Sequence, residues 1–135
     1  MNRIFKYLEK SIKELYHKDS DIIENQSLNS VVFRLGVYLN SFIKRDIIHK
    51  DLYVDYNFRD KDIDYLDLVV HNRITHKDLL VIKLTKDPGE ISEDIYSIKL
   101  VTCNFNELSK YGILIVLGKN SYNCYKLSPR YYDED

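Results

Sequence analysis

Three short strings in the second half of this chain are apolar on both faces, and they restrict its fold more than any other feature. They are Leu68-Val69-Val70 after Asp67, Leu79-Leu80-Val81-Ile82 before Lys83, and Ile113 to Leu117 after Tyr111-Gly112. A strand with one wet face alternates apolar and polar residues, whereas a strand covered on both sides is a continuous apolar run. Strands are therefore expected at about 65–72, 79–85 and 111–117, in the centre of a sheet with layers on both sides. Polar exceptions inside such strands stand out, and there are three: Asp67, Lys83 and Thr85.

The flanking segments supply the layers. Ile4, Phe5, Leu8, Ile12, Leu15 and Tyr16 recur at helical spacing over residues 2–17. The run His17 to Asp21 breaks that pattern. A second helix is expected from near Ser27, with Leu28, Val31, Val32, Leu35, Tyr38, Leu39 and Phe42 on its apolar side. Gly36 inside it marks a close approach of helix to sheet. At Leu52, Val54, Tyr56 and Phe58 the period drops to two, which predicts a strand with one wet face carrying Tyr53 and Asp55. Polar turns follow at 60–62 and 87–89. A helix is expected at about 92–104, with Glu93 and Asp94 in its first turn where the helix dipole favours acids. Residues 122–126 fit a last edge strand, and 133–135 a frayed end. This order predicts an α/β domain over residues 1–127, with a tail at 128–135 and a mixed sheet of four or five strands flanked by helices.

Composition narrows the function. With 135 residues the chain has the length of one domain. Twenty Lys and Arg stand against 21 Asp and Glu, a formal net charge of −1. Non-specific nucleic-acid binding rests on phosphate neutralisation and normally shows a basic excess, so the net charge does not favour it; a local basic groove is left open. Cys103 and Cys124 lack metal-type spacing and fit reduced thiols. No leader-like or bilayer-length apolar run is present, so no membrane association and a cytoplasmic location are expected.

The ordered set Phe33-Arg34-Leu35, Asp67 to His71, Leu79 to Ile82, Asp94 to Leu100 and Tyr111 to Leu117 resembles the PD-(D/E)XK nuclease superfamily, over roughly residues 3–118. The resemblance implies a restriction-endonuclease-like αα-βββ-α-β(β) core. It also implies a Mg²⁺- or Mn²⁺-dependent site for phosphodiester cleavage, in which carboxylates hold the metal and a Lys adds positive charge to the transition state. In such a site the second strand ends in Glu-x-Lys. Asp67 matches the family Asp, Lys83 fills the Glu slot, Thr85 the Lys slot, and Asn29 the slot of the first-helix Glu. Glu24 is a poor substitute, because five residues turn a helix about 140°. Asp64 has the wrong strand parity, Asp62 lies in a turn, and Lys86 should face away from Lys83.

One of four positions survives. A Lys about 4 Å from a divalent cation would repel it by roughly 8 kcal/mol at an effective dielectric near 20. The resemblance thus implies a catalytically degraded, non-cleaving domain that needs no cofactor, with Lys83 and Asp67 forming a buried ion pair in the vacated site. Its expected roles are binding or regulation: weak nucleic-acid contact, a homodimer, another protein partner, or a subunit of a prokaryotic defence or mobile-element system. A metal-dependent nuclease rearranged around Asp67 and a pure protein-interaction module are the alternatives. His71 and Arg34 are the candidate supporting residues. For each, a structural hydrogen bond or ion pair is the stronger expectation. His17, His49 and His76 have no ligand-like spacing, and the 12 Tyr fit core, rim and interface better than base stacking.

Overall fold

The computed structural model describes residues 2–56, 67–75, 77–87, 89 and 111–127. The expected helix at 92–104, the turn at 60–62, Asp62, Asp64, Cys103 and the tail from 128 lie outside them. Three helices lead: α1 (Asn2–Lys18), α2 (Ser20–Asn25) and α3 (Leu28–Lys44). A 3-10 turn, Ile47–His49, joins them to β1 (Leu52–Tyr56), β2 (Leu68–Asn72), β3 (Lys77–Thr85), β4 (Tyr111–Leu117) and β5 (Tyr122–Leu127). The five strands form one mixed sheet in sequence order. β1, β2 and β3 run as an antiparallel meander, β4 lies parallel to β3, and β5 returns antiparallel to β4. Parallel neighbours need a crossover connection. Here it falls between Thr85 and Tyr111, mostly outside the described residues.

The helical spacing of the sequence becomes the core. Ile4, Leu8, Ile12 and Leu15 of α1 and Val31, Leu35, Leu39 and Ile43 of α3 are buried against Leu68, Val70, Leu80, Ile82, Leu84, Ile113 and Ile115. Ser27 caps α3, its hydroxyl accepting the Ser30 N–H at 3.4 Å. The opposite sheet face is buried as well: Val69, Val81 and Leu114 have no exposed surface, yet none of them belongs to the cluster beneath the helices. The expectation of strands covered on both sides is met. α2 is an addition. The break after His17 is only a corner at Asp19, followed by a six-residue helix that buries Ile23.

Gly36 is where α3 comes closest to the sheet. A Cβ there would meet Leu68 Cδ2 at 2.9 Å and Val54 Cγ1 at 4.0 Å. A single methyl displaces only the end of a leucine, and Ala regains up to about 1 kcal/mol of helix propensity, so Gly36→Ala should be nearly neutral. Gly36→Val adds branched bulk with nowhere to go. It should cost about 1–3 kcal/mol, read as a lower urea midpoint at unchanged slope.

Candidate functional site

The three polar residues of the central strands share the sheet face turned away from α1 and α3. Lys83 falls between two residues of the core, Ile82 and Leu84, and so points with Val81 to the other side. Asp67 sits one step before β2. The last β2–β3 pair is Leu68 with Ile82, so the next pair outward brings Asp67 opposite Lys83. The Asp67 N–H donates to Ile82 O at 3.1 Å, and the Leu84 N–H donates to the Asp67 carboxylate at 2.7 Å. The side chain thus does the work of a strand carbonyl where the ladder stops.

Burial pushes the Asp67 carboxyl above the ordinary carboxylate range, and the Leu84 N–H and the positive charge of Lys83 pull the other way. Lys83 is near enough to be felt, but the expected ion pair is not made. Among the described residues, Asp67 and Lys83 are not in salt-bridge contact. The physical reason is that the carboxylate is drawn to the Leu84 N–H, while Lys83 keeps part of its length in solvent. Thr85 is 3 % exposed and closes the strand end: its hydroxyl accepts the Asp87 N–H at 3.1 Å and donates to Asp87 O at 3.4 Å.

The other expected residues lie elsewhere. Asn29 is exposed on the first turn of α3 and lines a surface cavity with Ile22, Gln26, Ser30, Phe33 and Arg34. No hydrogen bond joins it to Asp67, Lys83 or Thr85. Arg34 binds the buried Asp19 through Nη2 (3.2 Å) and Nε (3.4 Å) and also donates to the Tyr38 hydroxyl at 3.3 Å. Tyr38 in turn donates a short hydrogen bond to Asp19. Burial alone would raise the Asp19 carboxyl, but the hydrogen bonds from Tyr38 and Arg34 hold it below its ordinary value. Arg34 therefore pairs with a carboxylate, as expected, but it ties the corner between α1 and α2 to α3 and does not support Asp67. Lys86 donates to Gln26 O at 3.0 Å, consistent with its facing away from Lys83.

His71 is taken up by a different carboxylate, Asp55. Its Nε2 lies 2.5 Å from Asp55 Oδ2, and Arg73 grips the same carboxylate through Nε (3.0 Å) and Nη2 (2.5 Å). The Tyr53 ring beside them has Lys44 Nζ 3.2 Å and Arg73 Cζ 4.1 Å from its centroid. Alternation along β1 had put Tyr53 and Asp55 on the wet face. What the sequence lacked was the β1–β2 register, which sets His71 opposite Tyr53 and so diagonal to Asp55.

The Arg73 hydrogen bond holds the Asp55 carboxyl down at about 2, with His71 adding to it against the cost of burial. A depressed carboxylate gives stability that is present above the unfolded value and lost as pH falls through the folded one. With the side chain 33 % exposed, solvent screening leaves about 1 kcal/mol. Acid titration of stability between about pH 4 and pH 2 should show this loss, and Asp55→Asn should flatten it.

Among the described residues, no three His, Cys, Asp or Glu side chains converge as a metal-ligand set, and no helix is long and apolar enough to cross a membrane. Cys124 is a free thiol whose pKa burial raises. The described site comes down to one half-buried carboxylate, already engaged by a backbone N–H, facing a lysine across two antiparallel strands. No family model, no curated protein and no solved structure matches the chain.

Proposed function

We propose that this chain is a PD-(D/E)XK nuclease-like domain whose cleavage site has been lost, and that it acts as a non-cleaving binding or regulatory module. The order of elements supports this reading: helices, an antiparallel three-strand meander, then a strand parallel to the third. The observation that carries it is the content of the two slots at the end of β3. An ammonium stands where the second metal-binding carboxylate belongs, and a buried hydroxyl that closes a turn stands where the lysine belongs. The donor set does not fit a divalent cation. Among the described residues, one carboxylate that already accepts a backbone hydrogen bond is all that faces the position, and the nearby lysine opposes a second positive charge. No catalytic step follows from such a site.

Calorimetric titration of Mg²⁺ and Mn²⁺ into the protein and into Asp67→Ala, with plasmid and single-strand cleavage assays in the same buffers, tests the reading. The expected result is no binding heat and no cleavage for either protein. Metal binding and cleavage that disappear together in Asp67→Ala would identify a working nuclease rearranged around that residue.

A further inference from the structure

The outer face of α1 carries a row of basic residues that the degraded site does not explain. Lys6, Lys10, Lys13 and His17 follow one another at intervals of four, three and four residues, so they stand in one line along the helix, on the side opposite Ile4, Leu8, Ile12 and Leu15. All four are exposed. Among the described residues, none of the three lysines has an ion-pair partner. The neighbouring charges are spoken for: Arg3 is bound to Asp46 at 3.2 Å and Lys18 to Glu14 at 2.9 Å, while Glu9 lies to the side, towards Tyr122 and Cys124. At 1.5 Å of rise per residue, the lysines are about 5 Å apart along the axis.

The row runs into a surface cleft of about 500 Å³, lined by Lys13, Tyr16, His17, Asn120, Ser121 and Tyr122. Its floor is aromatic. The rings of Tyr16 and Tyr122 stack with centroids 6.0 Å apart and planes at 24°. The Tyr16 hydroxyl donates to Gly118 O (2.8 Å) and Ser121 O (3.0 Å), which fixes the ring across the β4–β5 turn. A line of unpaired cations leading to a stacked aromatic surface has the two parts of a single-strand nucleic-acid surface: charge for the backbone and π-faces for the bases.

We propose that α1 and the β4–β5 turn form a docking surface for single-stranded nucleic acid, with Lys6, Lys10 and Lys13 neutralising backbone phosphates and a base resting on Tyr16 and Tyr122. This rests on the reading of a non-cleaving binding module and names what is bound. The local charge pattern supplies what the overall charge of −1 does not.

Fluorescence anisotropy with a labelled oligothymidylate, in chelator so that no metal contributes, tests the surface separately from the metal titration of Asp67. Three neutralised phosphates on a single strand give a slope of about −2 for log affinity against log salt, hence about 15-fold weaker binding at 200 mM than at 50 mM salt. Lys6→Gln, Lys10→Gln and Lys13→Gln combined change only exposed positions to another good helix former. The triple variant should melt like the parent, bind at least tenfold more weakly at 50 mM salt and lose most of the slope, while Lys18→Gln should bind like the parent. Three results would overturn the proposal: no binding by the parent at low salt, parent-like binding by the triple variant, or retention on anionic vesicles without oligonucleotide binding.

Discussion

Lys83→Glu is expected to make the stability of this protein depend on Mn²⁺. The substitution puts a second carboxylate opposite Asp67, on a half-buried face where burial already raises the Asp67 carboxyl and the positive charge of Lys83 is one of the two influences that lower it. Removing that cation and adding an anion should cost about 1–2 kcal/mol without metal, a melting temperature lower by roughly 5 °C for a domain of this size. A divalent ion bound between the two carboxylates reverses the sign. At ten times its dissociation constant it returns about 1.4 kcal/mol, so millimolar Mn²⁺ should restore the melting temperature while leaving the parent unmoved. Cleavage is not expected, because Thr85 still closes its turn where the catalytic lysine would stand. A variant whose melting ignores Mn²⁺ would show that Asp67 and position 83 do not frame a metal site, and the nuclease-like reading would fail with it.

Asp19→Ala should be the most damaging single change outside the apolar core. The carboxylate receives Arg34 in two hydrogen bonds and Tyr38 in a third, and its residue is 7 % exposed. Its truncation leaves the Tyr38 hydroxyl without its acceptor and the Arg34 charge uncompensated at the junction of three helices. A loss of about 2–3 kcal/mol follows, below the full value for a buried pair because Arg34 is part-exposed. The melting temperature should fall by about 10 °C. Asp19→Asn keeps an acceptor and should lose about half as much, and a double variant with Arg34→Met should recover part of the loss. If Asp19→Ala melted with the parent, the cluster would be ornamental.

Strand periodicity carried the central sheet well, because strands buried on both sides leave a continuous apolar record: β4 and β3 end where Leu117 and Thr85 were expected to end them. Gly36 was legible for the same reason, since a glycine inside an apolar helix needs a packing cause. α2 was hidden because Asp19, Ser20, Asp21, Glu24 and Asn25 surround only two isoleucines, too few to show a period. In the candidate site, strand parity opposed Lys86 to Lys83 but carried no distance. The Leu84 N–H that takes the Asp67 carboxylate has no signature in sequence, because a backbone donor is the same at every position. The partners of Arg34 and His71, Asp19 and Asp55, are 15 and 16 residues away. Register and helix packing select them, and neither is written locally.

The parallel pairing of β3 with β4 also bears on how the chain is made. Leu80 has to wait for Tyr111, and Tyr16 for Gly118, 102 residues later. Synthesis delivers the N-terminal part first. The helices and the β1–β3 meander are therefore made before the strand that covers Leu80 to Thr85, and leave the ribosome ahead of it. During that interval β3, with Leu79 to Ile82 and Leu84, is an open edge, the geometry that recruits a stranger's strand. Slowing elongation once β3 has emerged, and before β4 has followed it, would lengthen that exposure, and yield in the cell should respond to it even when the finished protein is unchanged.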